Sequence, residues 1–118
     1  MYKRQLDDSG AIALAAVLPS LTELSQLNLA WNRIADTGLV AMAATLPSLT
    51  KLRVLDLSIN HVGDIGADAL SAQLHSMEAL VSLRLLDNEL SDRAKDALRA
   101  AARAGCKLDL SERECTIC

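Results

Sequence analysis

The groups in this chain most able to do chemistry are three cysteines, two histidines and a scatter of carboxylates and serines. His75 and Glu78 are close enough in sequence to touch one metal ion. Two ligands fall short of the three or four protein ligands that a zinc site uses, and nothing nearby completes the set. His61 stands apart from His75. Serine, histidine and aspartate all occur, but no spacing joins them as nucleophile, base and orienting group. No glycine-rich loop is present to cradle a phosphate. The last four residues, Cys115-Thr116-Ile117-Cys118, fit the prenylation pattern C-a-a-X. Ile117 suits the aliphatic position, whereas Cys118 is an unusual final residue and no polybasic run precedes it. One lipid on Cys115 would anchor the chain only reversibly. The expectation is a chain without catalysis, metal or cofactor, and without a membrane partner unless Cys115 is lipidated.

Cys106, Cys115 and Cys118 make an odd set near one end, which is not a disulfide framework. No basic start followed by an apolar stretch opens the chain, so no secretory signal is read. Both points predict a reducing, cytoplasmic location. The formal net charge is −3 and no strongly basic patch exists, so nucleic acid is not an expected partner. Every apolar run is far shorter than the roughly 18 residues that span a bilayer.

The residues that hold these groups in place are mostly aliphatic. Of 118 residues, 23 are Leu and 19 are Ala, and there is no Phe. Their order is a repeat with a period of 28 residues. Leu24, Leu27, Leu29, Asn32 and Ile34 align with Leu52, Leu55, Leu57, Asn60 and Val62, and again with Leu80, Leu83, Leu85, Asn88 and Leu90. The register continues through Asp8, Asp36, Asp64 and Asp92, and through Gly10, Gly38, Gly66 and Ala94. Apolar residues two apart in the first half of each unit have strand spacing. Those four apart in the second half have helix spacing. Each unit is therefore a short strand, a turn and a helix. The Ala13, Ala41, Ala69 and Ala97 column offers small residues where neighbouring helices can approach. Asp36, Asp64 and Asp92 precede each helical pattern and suit helix capping. Pro19 and Pro47 stop helices, and His75 holds the same place in the third unit.

The recurring Asn32, Asn60 and Asn88 follow each strand closely. Stacked units would align them as a ladder that bonds backbone groups of the turns. The whole string resembles the leucine-rich repeat, L-x-x-L-x-L-x-x-N-x-L. Its length, its full helix and the I-x-D-x-G segment resemble the ribonuclease-inhibitor-like subfamily, which includes Ran GTPase-activating proteins and the repeat domains of NOD-like receptors. The resemblance covers about residues 6 to 112. It implies an α/β fold, a right-handed solenoid with parallel strands on a concave face and helices on a convex face. It also implies a protein-binding role. The expected layout is a repeat domain over 1–112 and a short tail over 113–118. A protein scaffold is the first functional expectation. A GTPase-activating regulator of the Ran-activator type and a structural segment of a longer array are the alternatives.

The pattern departs from regularity at both ends. Leu6, Asp8 and Gly10 match only the second half of a unit, and Arg4 stands where Asn is expected. A charged helix over Asp92 to Ala104 resembles an exposed cap. Gly105 to Leu110 reads as a last strand, in which Leu108 follows Leu83 by 25 residues rather than 28, and no Asn follows it near Arg113. These features predict the C-terminal piece of a longer array, with self-association through an uncapped repeat end as a further expectation.

If the strand leucines point inward, the alternate residues face the concave side. These form the columns Gln26, Val54, Ser82, Lys107; Asn28, Asp56, Arg84, Asp109; and Ala30, Ser58, Leu86, Ser111. Trp31, Ile59 and Asp87 come next, at the rim where each strand passes into its loop. The single Trp is a candidate binding anchor, and Ile59 and Leu86 would extend it into an apolar strip. Gln26, Asn28, Trp31, Val54, Asp56, Ser58, Ile59, Arg84 and Leu86 are therefore the candidate contacts for a protein partner.

Overall fold

The computed structural model describes residues 5–110. Four helices alternate with four very short strands: α1 (Asp8–Val17), β1 (Gln26–Asn28), α2 (Asp36–Ala43), β2 (Val54–Asp56), α3 (Asp64–Leu74), β3 (Ser82–Arg84), α4 (Asp92–Ala101) and β4 (Lys107–Asp109). The strands form one parallel sheet in the order β1-β2-β3-β4, and each helix packs beside the next. Two parallel strands cannot be joined by a tight turn, so each connection crosses over through a helix. Repetition of that crossover gives an α/β solenoid.

Leu27, Leu55, Leu83 and Leu108 lie in one register. The first steps are 28 residues, and the last is 25, absorbed in the short link between α4 and β4, where Gly105 turns the chain at φ +91°. The core is a stack of these columns. Leu55 and Leu83, Leu57 and Leu85, Ile34 and Val62, and Leu18, Leu46 and Leu74 are all buried. Aliphatic side chains suffice because each unit adds only a thin layer between sheet and helices.

Pro19 and Pro47 each sit in a 3-10 turn, Leu18–Ser20 and Leu46–Ser48, directly after α1 and α2 or close to them. In the third unit His75 keeps its N–H, and α3 continues to Leu74, the position that Leu18 and Leu46 hold in those turns. Proline supplies no donor to continue the helix, which accounts for the difference.

Two expectations about the helices change. The closest approach between them is made by the glycine column, not by the Ala13, Ala41, Ala69, Ala97 column, whose members are exposed or half-buried. A Cβ added at Gly38 would lie 2.9 Å from Ala11 Cβ, and one at Gly66 would lie 2.8 Å from Asp36 Oδ1. The aspartates also do not cap their own helices. Asp8 Oδ1 accepts from the Ala35 N–H at 2.7 Å, and Asp36 Oδ1 accepts from the Gly63 and Gly66 N–H groups at 2.8 and 2.9 Å. Asp64 accepts from the Ser91 N–H at 2.9 Å and its hydroxyl at 2.6 Å. Each carboxylate therefore satisfies the start of the following unit's helix. This explains why Ala35 and Gly63 begin α2 and α3 without a side-chain cap of their own.

Candidate interaction surface

After each strand the chain must leave the sheet and turn toward the next helix, and that turn exposes backbone groups. The asparagine ladder satisfies them. Asn60 Oδ1 accepts from the Ile34 N–H at 2.9 Å, while its amide donates to the Leu29, Leu57 and Ser58 carbonyls at 2.9, 3.1 and 3.2 Å. Asn88 repeats this on Val62, Leu57, Leu85 and Leu86. Asn32 accepts from the Leu6 N–H at 2.8 Å and donates to Leu29 and Ala30. Asn60 and Asn88 are buried, and each ties its turn to the preceding unit.

One residue earlier, Trp31, Ile59 and Asp87 adopt left-handed backbone, with φ of 64°, 57° and 56°. That region suits Gly or Asn, and an L side chain such as Ile costs about 1–2 kcal/mol there. The turn reverses the direction of the side chain, so the column stands on the rim. Trp31 is 67% exposed. Its carbonyl accepts from Gln5 Nε2 at 3.0 Å, and its N–H donates to Ser58 O at 3.0 Å, which fixes the base of the side chain.

Trp31, Ala30, Asp56, Ser58, Ile59, Arg84, Leu86 and Asp87 line one depression of about 390 Å³ at the C-terminal ends of the strands. Trp31, Ile59, Leu86 and Ala30 supply its apolar wall, and Asp56, Arg84 and Asp87 its charges. Six of the sequence-derived candidates are thus brought together: Trp31, Asp56, Ser58, Ile59, Arg84 and Leu86. Gln26, Asn28 and Val54 lie on β1 and β2, outside the depression. Ser111 and Cys115 lie outside the described residues. Ala30 and Asp87 also line the depression, and both were legible as members of the same columns.

Arg84 is held between neighbouring strands. Its guanidinium lies 3.6 Å from Asp56 and 3.3 Å from Asp109, the residues beside it in register. Ser58 differs from its expected outward placement. It is only 5% exposed, and its hydroxyl accepts from the Leu86 N–H at 3.1 Å. The reason lies one strand position earlier. Asn28 and Asp56 each accept from the N–H two residues on, at Ala30 and Ser58. Arg84 carries no acceptor for Leu86, so the hydroxyl of Ser58 takes that role. Ser58 is therefore a floor residue.

Among the described residues, no group of three or more His, Cys, Asp or Glu comes together as a metal site, and no helix is long and apolar enough to cross a membrane. Burial pushes the Cys106 thiol pKa up, so the thiol disfavours the reactive thiolate.

The comparisons with known proteins agree with this geometry. Residues 18–43 and 48–71 match the profile of a family described as leucine-rich repeat. Among solved structures, the actin-binding site 2 of leiomodin-1 is similar, with a TM-score of 0.76 at 17% identity over 92% of this chain. The match covers 65% of the leiomodin-1 chain, so this chain spans just under two thirds of it. No curated protein sequence matches. The class is thus an α/β solenoid with the leucine-rich repeat fold.

Proposed function

We propose that this chain is a protein-interaction module, without catalysis of its own, that holds a protein partner on the concave end of its sheet. The depression walled by Trp31, Ile59 and Leu86 carries the reading. An exposed indole beside apolar neighbours and fixed charges has the make-up of a binding anchor. The repeat fold and the actin-binding description of the leiomodin-1 neighbour support a protein as the partner class. Actin is the first protein to test. Trp31→Ala should weaken partner binding by about 2 kcal/mol or more while leaving the far-ultraviolet spectrum and melting point close to the parent's. Unchanged affinity in a calorimetric titration would refute this surface.

A second reading rests on the end of the array. Leu21 is 42% exposed, whereas Leu49 in the same column is 3% exposed beneath its neighbour. Leu14, Leu24 and Leu27 are likewise only partly buried. This end face suits stacking against a second copy. Light scattering should then report a dimer that Leu21→Lys converts to monomer, and a monomeric parent would remove the reading.

A further inference from the structure

The depression's charge and shape also specify what kind of segment fits it. Resting on the concave-face reading above, we infer that it takes a basic stretch of the partner protein: an arginine lies over Trp31, with an aliphatic side chain beside it against Ile59 and Leu86. The charges point to a cation. One guanidinium, that of Arg84, stands 3.6 Å from Asp56 and 3.3 Å from Asp109, so two carboxylates share one positive charge. Asp87 adds a further carboxylate to the same wall. Among the described residues Asp56 and Asp109 together exceed Arg84 by one negative charge, which attracts a cationic side chain and opposes an anionic one.

The apolar groups select which cation. The indole of Trp31 is 67% exposed at the edge of a depression of about 390 Å³. A guanidinium is planar, weakly hydrated and able to stack on an indole while donating to a carboxylate. A lysine ammonium gains the same charge with less stacking. The backbone adds an independent observation. Trp31 and Ile59 hold left-handed φ values of 64° and 57°, with the Trp31 side chain exposed and that of Ile59 half-buried. The indole of Trp31 gains further burial only when something covers it.

The experiment uses the full chain, in which Trp31 is the single tryptophan and its emission reports on the site directly. The probes are three acetylated, amidated hexapeptides that alternate leucine with arginine, glutamine or glutamate. The arginine peptide should shift Trp31 emission saturably, at a concentration about tenfold below that of the glutamine peptide and lower still than that of the glutamate peptide. Asp87→Asn and Asp56→Asn should each raise half-saturation by the arginine peptide about threefold. Asp56→Asn keeps the turn intact, because Asn28 makes the equivalent bond to the Ala30 N–H at 3.0 Å. Raising the salt should narrow the gap between the arginine and glutamine peptides. Equal saturation by these two peptides, or an arginine preference that survives both Asn variants, overturns the basic-segment proposal and leaves concave docking standing. Silence from all three peptides, together with unchanged partner affinity in Trp31→Ala, overturns both.

Discussion

Two adjacent positions in every turn behave in opposite ways. The ladder position is Asn32, Asn60 and Asn88, the same residue three times. The rim position, one residue earlier, is Trp31, Ile59 and Asp87, three residues with nothing in common except a left-handed backbone. The ladder is uniform because its side chain must accept from one unit and donate within its own, and a carboxamide does both. The rim varies because its left-handed backbone carries the turn whichever side chain stands there. Uniformity within a repeat protein thus marks the atoms that join units, and variation marks the surface available to a partner.

The comparison breaks first at Asn60. Asn60→Ala should cost about 3–5 kcal/mol, since it strands the Ile34 N–H and several carbonyls in a buried turn. The half-buried Asn32→Ala should cost about 1–2 kcal/mol. Urea midpoints at unchanged slope measure both, and equal losses would show that burial does not set the ladder's worth. Gly66→Ala comes next. A helix-interior Gly→Ala change normally stabilises by about 1 kcal/mol, but here the new Cβ meets Asp36 Oδ1 at 2.8 Å and its Cα at 3.3 Å. The expected result is a loss of about 1–3 kcal/mol, and a gain would place the tight contact elsewhere.

A rim substitution should have the opposite sign. Ile59→Asn relieves the left-handed backbone and should stabilise by about 0.5–1 kcal/mol in the same urea assay, while weakening any partner that covers the strip. The smallest effect concerns pH. The Ser91 hydroxyl and N–H, with Arg93 nearby, hold the Asp64 carboxyl below its ordinary 3.8. Its contribution is therefore complete above about pH 4 and is lost as the pH falls through the depressed value. Asp64→Asn should flatten part of the acid-side fall in melting temperature. An unchanged acid limb would show that this exposed bond contributes nothing.

Much of the architecture was legible because it is periodic. The register of Leu27 with Leu55 and Leu83, the half-unit that forms α1, and the shortened step to Leu108 all follow from counting. The sequence reading missed contacts that cross between units. Asp36 looks like a cap for its own helix, since local spacing is all that a linear reading sees, yet its acceptor faces Gly63 and Gly66. Ser58 looks outward by strand alternation, but β2 ends at Asp56 and the hydroxyl turns toward Leu86. The depression was legible as separate columns. That Trp31, Asp56 and Arg84 share one wall required the sheet's stacking and the rim's reversal of direction.

The inter-unit bonds have a consequence for chain length. Leu6 with Asn32, Ile34 with Asn60, and Val62 with Asn88 are each 26 residues apart, and Ala35 with Asp8, Gly63 with Asp36, and Ser91 with Asp64 are each 27 apart. Excising 28 consecutive residues from the middle of the array would return every donor to an equivalent acceptor. Excising 27 would misalign every bond that spans the splice. Length in this molecule is therefore quantised, and the whole unit is the step in which it can be shortened or extended without changing its bonding.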